Sequence, residues 1–258
     1  MGYMKLSANL GFLWNDRPLP DAIRAAYTAG FDAVECHWPY AIPATETAKA
    51  LSETGLRMLC LNTDRGDVAN GELGLCALPN RETEARATID QALAYAQAID
   101  APNVHVMAGF ATGPDAHATF VQNLKYACDK AAAQNTTILI EPLNHYDAPD
   151  YFLSNTEQAK TIISEVSAPN LKLMFDCYHV QLMEGDLSNR IKALLPIIGH
   201  IQFASVPDRG APDHGEVNYD HIFNVLAEIG YDAPLGAEYK PVGDTNDTLS
   251  WMDSNQKV

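Results

Sequence analysis

The stretch Thr137-Ile138-Leu139-Ile140-Glu141 decides the fold, because a run of apolar residues suited to a buried strand ends there on a carboxylate. An unpaired buried charge costs several kcal/mol, so a strand does not end this way without a reason. Three further apolar segments end on a group that can bind a metal: residues 171–176 on Asp176, 200–203 at Gln202 and 235–238 on Glu238. We therefore expect the ends of four strands to converge.

Short apolar runs that predict strands alternate with amphipathic stretches that predict helices. The eight predicted strands begin near Met4, Asp32, Arg57, Asn103, Thr136, Leu171, Gly199 and Pro234. Three helix-to-strand joints carry a glycine where a left-handed C′ residue belongs, at Gly30, Gly55 and Gly230. This alternation predicts an α/β fold, with parallel strands closed into a single (β/α)8 barrel domain over residues 1–258.

A doubly wound open sheet is the alternative architecture. Such a sheet usually carries a glycine-rich phosphate loop after its first strand, and residues 7–12 lack that fingerprint. Two long irregular segments, residues 62–81 and 205–218, each follow a predicted strand. In a barrel both would lie on the C-terminal face, where active sites are found.

The composition excludes several classes of partner. The formal net charge of the 258-residue chain is -16, which argues against binding to nucleic acid or to an anionic membrane surface. No apolar run approaches the ~18 residues that span a bilayer, and residues 1–15 lack a signal-peptide pattern. The five cysteines form no Cys-x-x-Cys pair, which fits a reducing compartment. We predict a cytoplasmic protein.

The four strand-end groups form an oxygen-rich ligand set of Glu141, Asp176, Gln202 and Glu238. Carboxylate and amide oxygens suit Mg²⁺ or Mn²⁺ better than Zn²⁺. The alternative is that each group caps the helix that follows it, although glutamate and glutamine are poor N-caps. The set therefore predicts a divalent-cation site at the mouth of the barrel.

Glu141 and Glu238 also suggest a reaction. Placed on opposite sides of a barrel, they would flank a small hydroxy-carbonyl compound chelated to the metal. A polarised carbonyl stabilises an enediolate, so one glutamate can remove a proton and the other can return it to the neighbouring carbon. We predict these two residues to be catalytic.

Four further residues are candidates for substrate binding. His179 follows Asp176 just past a strand end, where a solvated helix-start histidine is the alternative. His105 would point into the barrel, where a satisfied core histidine is the alternative. Arg209, in the second long segment, is a candidate for a substrate carboxylate, although a lone loop arginine is usually solvated. Lys240 lies on the same strand face as Glu238 and is the fourth candidate.

Several motifs, in order along nearly the whole chain, resemble the hydroxypyruvate isomerase family of the xylose-isomerase-like barrels. They include Leu6-Ser7-Ala8-Asn9-Leu10, Glu141-Pro142-Leu143-Asn144, Asp176-Cys177-Tyr178-His179, Gly199-His200-Ile201-Gln202, Pro207-Asp208-Arg209 and Glu238-Tyr239-Lys240-Pro241. The resemblance implies a TIM barrel, a divalent cation held at Glu141, Asp176, Gln202 and Glu238, and proton transfer by Glu141 and Glu238. Barrels of this kind often pair, so a homo-oligomer is possible.

The resemblance leaves the hydroxy-oxo acid substrate open between two branches. Residues 104–109 resemble isomerases of 2-oxotetronate, whereas residues 141–147 resemble isomerases that convert hydroxypyruvate to tartronate semialdehyde. We predict hydroxypyruvate, with 2-oxotetronate as the alternative. Asp64 and Arg65 depart from the family pattern, and an extra arginine there could recognise a second carboxylate or a longer hydroxy acid, or it could lie on the surface.

Three rival functions are weaker. Ketose 3-epimerases usually place histidine where Gln202 stands. An apurinic-site endonuclease would need several metals with histidine ligands and a basic surface, which the net charge of -16 contradicts. A non-catalytic sugar-acid binding protein would not need the two flanking glutamates, Glu141 and Glu238.

Overall fold

The computed structural model describes residues 4–252. The remaining residues of the predicted domain, 1–3 and 253–258, lie outside the described residues. The described strands are β1 (Leu6–Asn9), β2 (Ala33–Glu35), β3 (Arg57–Met58), β4 (Cys60–Asn62), β5 (Asn103–His105), β6 (Thr137–Ile140), β7 (Leu171–Asp176), β8 (Ile198–Phe203) and β9 (Leu235–Ala237). The described α-helices are α1 (Leu19–Thr28), α2 (Ala44–Thr54), α3 (Glu82–Ala98), α4 (Gly113–Ala132), α5 (Thr156–Val166), α6 (Cys177–Met183), α7 (Leu187–Leu194) and α8 (Tyr219–Glu228).

All strands pair in parallel, in the order β3-β2-β1-β9-β8-β7-β6-β5-β4. The two end strands of this order, β3 and β4, are separated in the chain only by Leu59, so they are two parts of the third predicted strand. Leu59 N donates to Val34 O at 2.7 Å and Cys36 N donates to Cys60 O at 3.1 Å, which joins β2 to this stretch. The sheet is therefore a nearly closed barrel, and the open-sheet alternative is wrong.

The barrel interior is apolar below its C-terminal mouth. Leu139 and Met174 pack with Cys60 in a small cluster separate from the large core between strands and helices. Both are essentially inaccessible to solvent. Gly199 makes room for this layer, since a Cβ there would lie 2.7 Å from Leu139 Cδ2. The polar ends of β6 and β7 consequently project beyond the apolar layer, into the mouth.

The strand register aligns the predicted site residues. Asp176 pairs with Gln202 across β7 and β8, and Gln202 pairs with Gly236 across β8 and β9.

The glycines at three helix-to-strand joints, Gly30, Gly55 and Gly230, have φ of 90°, 74° and 76°, which confirms the predicted left-handed conformation. Within residues 4–252, no helix combines the length and the apolarity needed to cross a membrane.

Candidate active site

A cavity of about 250 Å³ opens at the C-terminal ends of the strands. Its walls include six predicted site residues: Glu141, Glu238, His105, His179, Arg209 and Lys240. Asp176 and Gln202 lie beside them at the ends of β7 and β8 and are buried. The convergence predicted from the strand ends is therefore present in the fold.

Oxygen atoms without a hydrogen-bond partner mark this cluster. They belong to Glu141 (Oε1), Asp176 (Oδ2) and Gln202 (Oε1), and all three are buried. Candidate ligand atoms of Glu141, Asp176 and His179 lie within 4.8 Å of one another, close enough to hold a metal ion. A buried polar atom left unpaired costs about 1–3 kcal/mol, so these oxygens fit a ligand that the protein itself does not supply.

The two oxygens of Asp176 are placed for the two tasks that the sequence left as alternatives. Its Oδ1 accepts a hydrogen bond from Tyr178 N at 2.8 Å, so it is the N-cap of α6. Its Oδ2 has no hydrogen-bond partner and lies on the site. The capping interpretation is thus correct for one oxygen of Asp176, and the other oxygen remains available to a cation.

Glu238 differs from Glu141 and Asp176 because both of its oxygens have partners. Oε1 accepts from Asn9 Nδ2 at 2.8 Å and lies 2.8 Å from His37 Nε2. Oε2 accepts from Arg209 Nη2 at 2.8 Å. The same guanidinium lies 3.6 Å from Asp176 Oδ2, so one buried arginine faces two carboxylates.

The carboxylates of the cavity have divergent pKa values. Burial, followed by the negative charge of Glu238, raises the pKa of Glu141 well above its usual range. Burial and Glu238 also raise the pKa of Asp176 to about 8. Burial opposes ionisation of Glu238 as well, but Arg209 and His37 outweigh it and lower the pKa of that group. Perturbed groups of this kind gather at functional sites.

His179 is buried, so the solvated alternative is wrong for this residue. Its Nδ1 accepts from the backbone N–H of Asn144 at 3.0 Å and lies 2.7 Å from the Asn144 amide nitrogen. Burial also lowers its pKa, so the ring is neutral and its single proton is on Nε2. The Nε2 atom lies 3.6 Å from Asp176 Oδ2 and 3.9 Å from Glu141 Oε1. In this tautomer the Nε2–H group of His179 can donate a hydrogen bond to a ligand in the cavity.

His105 and Arg209 also belong to the site. His105 is 1% exposed, yet neither ring nitrogen has a hydrogen-bond partner, so it is not a satisfied core histidine. Burial lowers its pKa to about 4, which keeps the ring neutral. Arg209 is 9% exposed and lies 4.9 Å from the ring centres of both Phe12 and Tyr178. Its predicted alternative as a solvated loop arginine is therefore wrong.

Two cationic side chains, Lys240 and Arg65, lie against aromatic residues of the cavity wall. Lys240 is exposed, and its Nζ lies 5.8 Å from the Phe12 ring. Arg65, in the first long segment, places its guanidinium 3.7 Å above the ring of Trp38, which lines the cavity. The arginine that departs from the family pattern therefore packs on a wall residue.

Three further polar residues complete the site; sequence reasoning did not select Asn9 and Glu35, whereas it considered His37, which shares a strand face with Glu35. Asn9 and Glu35 end β1 and β2, and His37 follows two residues later. Asn9 Nδ2 donates to Glu35 Oε1 at 2.9 Å as well as to Glu238. A polar group at the end of an apolar strand, the signal used for Glu141, is also present at Asn9 and Glu35.

Known proteins with this architecture define its class. The family model described as xylose isomerase-like TIM barrel matches residues 23–255. A crystal structure described as AP endonuclease, family 2, from Brucella melitensis superposes with a TM-score of 0.94 at 38% identity. The match covers 98% of this chain and 100% of that chain. The chain is therefore similar to xylose isomerase-like barrels over nearly its full length.

Curated relatives narrow the class. A 2-oxo-tetronate isomerase from Cupriavidus necator is 44% identical, over 96% of this chain and 97% of that protein. A hydroxypyruvate isomerase from Escherichia coli is 37% identical, over 97% of this chain and 98% of that protein. The chain belongs to the hydroxypyruvate isomerase and 2-oxo-tetronate isomerase family of xylose isomerase-like TIM barrels, and it is an isomerase of that family.

Proposed function

We propose that this protein isomerises a small hydroxy-oxo acid with the aid of a divalent cation, Mg²⁺ or Mn²⁺. The observation that carries the proposal is the set of buried, unpartnered oxygens of Glu141, Asp176 and Gln202 beside one cavity. Glu238 completes the proposed ligand set. When bound there, the cation would polarise the substrate carbonyl and lower the energy of an enediolate.

The donor set fits a hard cation. Three carboxylates and one amide oxygen are the ligands that Mg²⁺ and Mn²⁺ prefer. His179 lies within reach of the same point, but the Asn144 N–H occupies its Nδ1 and leaves the proton on Nε2. A protonated nitrogen is not a ligand, so in this arrangement His179 donates to a substrate oxygen.

Glu141 and Glu238 carry the proton in this proposal. They follow strands β6 and β9, which are three positions apart in the barrel order, and both side chains line the cavity. One glutamate takes the proton from the hydroxylated carbon and the other gives a proton to the former carbonyl carbon, while the hydroxyl proton passes to the former carbonyl oxygen. The neutral His105, with two unpartnered nitrogens, lies 3.6 Å from Glu141 Oε2 and would hydrogen-bond the substrate beside that glutamate.

Arg209 and Lys240 would bind the carboxylate of the substrate. The Nε of Arg209 is buried without a partner, and Lys240 stands at the opening of the cavity. Charge-assisted hydrogen bonds from these groups would orient the acid so that its reacting carbons lie between the two glutamates. A cavity of about 250 Å³ suits a short acid rather than a sugar chain.

Hydroxypyruvate is the first proposed substrate, with tartronate semialdehyde as its product. The 44% identity to a 2-oxo-tetronate isomerase favours the four-carbon acid as a second candidate. Measurement of kcat/KM for both acids, with purified protein and Mg²⁺, tests the proposal. Turnover of either acid supports it and the larger kcat/KM identifies the preferred substrate, whereas absence of turnover with both refutes it.

A further inference from the structure

Glu35 lies beneath the cavity at the end of β2, where it is 1% exposed. Its carboxylate accepts three side-chain hydrogen bonds. Oε1 accepts from Asn9 Nδ2 at 2.9 Å and from Gln202 Nε2 at 2.7 Å, and Oε2 lies 2.5 Å from His200 Nε2. Glu35 is absent from the residues that line the cavity. Contacts with neighbouring side chains therefore occupy both oxygens of this carboxylate.

The side-chain amide of Gln202 can turn either its NH₂ group or its oxygen toward a neighbour, and the contact with Glu35 determines which. A carboxylate only accepts hydrogen bonds, so Gln202 must turn its NH₂ group toward Glu35. The Gln202 oxygen then points the other way, where it is buried without a partner. The register pairs Gln202 with Asp176, whose Oδ2 is also unpartnered. The opposite orientation would bring two acceptors together and leave the NH₂ group, which cannot bind a cation, facing the site.

We propose that Glu35 is a positioning residue that fixes Gln202 with its oxygen toward the cation site. This inference rests on the proposed function, because it takes Gln202 to be a metal ligand. Glu35 also reaches Glu238 through Asn9, whose Nδ2 donates to both carboxylates. The Asn9 amide is itself oriented, since its Oδ1 accepts from Gly11 N at 2.9 Å. One buried carboxylate thus aligns two of the proposed ligands.

Gly236 provides the space for this contact. A Cβ at this position would lie 2.7 Å from Glu35 Oε1 and 2.8 Å from Gln202 Cγ. Gly236→Ala would therefore displace the Glu35–Gln202 hydrogen bond without removing a polar group. Gly199→Ala is a matched control, because a Cβ there would crowd Leu139 and Lys172 instead.

The test is Mn²⁺ binding to the full-length, metal-stripped protein, measured by electron paramagnetic resonance of the free ion, with circular dichroism as the check of folding. Loss of a group that orients a metal ligand typically weakens affinity 10–100-fold. We expect Glu35→Gln and Gly236→Ala to weaken Mn²⁺ binding about 10-fold or more, and Gly199→Ala to bind as the wild type does. Adding Gln202→Glu to Glu35→Gln should restore binding, because a carboxylate presents an oxygen in either orientation.

Wild-type Mn²⁺ affinity in folded Glu35→Gln would overturn the positioning role. If Glu35→Gln does not fold, the comparison of Gly236→Ala with Gly199→Ala decides, and equal affinities would overturn the role. A wild-type protein that does not bind Mn²⁺ would refute the proposed cation site and this inference together. Failure of the inference alone is thus distinguished from failure of the function.

Discussion

Arg209 Nη2 donates a hydrogen bond to Glu238 Oε2 at 2.8 Å inside the cavity. The arginine comes from the segment after β8, and the glutamate directly follows β9. The same guanidinium lies 3.6 Å from Asp176 Oδ2. One positive charge therefore lies beside two buried carboxylates, in a chain whose formal net charge is -16. The arrangement favours the ionised form of Glu238, which in the proposed scheme can then act as the base.

Glu141→Gln should abolish turnover. The amide retains the size of the side chain but can neither accept nor donate the proton, and general acid–base catalysis contributes about 10²–10⁴-fold to a rate. The measurement is kcat at saturating Mg²⁺, with Glu165→Gln, at an exposed glutamate paired with His117, as the control. Unchanged kcat in Glu141→Gln would refute the two-glutamate scheme.

Arg209→Ala should raise KM for the acid substrate. A hydrogen bond to a charged group contributes about 1.5–3 kcal/mol, which corresponds to roughly 10–100-fold in affinity. Steady-state kinetics at saturating Mg²⁺ measures the effect, and Arg24→Ala, at an exposed arginine bonded to Glu53, is the control. Kinetic constants equal to those of the wild type would exclude Arg209 from substrate binding.

Removal of divalent cations should abolish the activity of the enzyme and lower its Tm. A cation that binds only the folded protein stabilises it by about 2.7 kcal/mol at a concentration 100 times its Kd. Activity and thermal unfolding are measured after chelation and again after Mg²⁺ or Mn²⁺ is added back. Full activity in exhaustively metal-free protein would reject metal-assisted catalysis.

Cation binding should release protons at neutral pH. Burial, together with Glu238, raises the pKa of Asp176 to about 8 and that of Glu141 well above its usual range in the cation-free protein. Ligands must lose these protons before they bind a cation, so apparent affinity should rise from pH 6 to pH 8. Calorimetry in two buffers of different ionisation enthalpy counts the protons. Affinity that is constant over this range would contradict the assignment of these carboxylates as ligands.

The sequence is informative where a charged residue stands at the end of an apolar run that is otherwise suited to a buried strand. Glu141, Asp176 and Glu238 were visible because each ends or follows an apolar run, and parallel strands bring such ends to one face. The glycine joints at Gly55 and Gly230 were visible because left-handed helix ends favour glycine. These local signals sufficed to predict the barrel and the convergence of its strand ends.

The supporting network could not be predicted in the same way. Glu35 is bound by Asn9, His200 and Gln202, which are 26, 165 and 167 residues away in the chain. Strand β2 has only three residues, so its pattern did not define which face Glu35 occupies. The burial of Arg209 likewise depends on Phe12 and Tyr178, which come from other parts of the barrel. These contacts follow from the closed fold and not from local pattern.

The most direct test of the central claim is proton NMR of hydroxypyruvate with purified protein and Mg²⁺ in D₂O. The two-glutamate scheme predicts loss of the C3 proton signal together with growth of tartronate semialdehyde, and neither change with Glu141→Gln. If a folded, metal-loaded protein gives no exchange and no product with hydroxypyruvate or with 2-oxotetronate, the proposed isomerisation is contradicted.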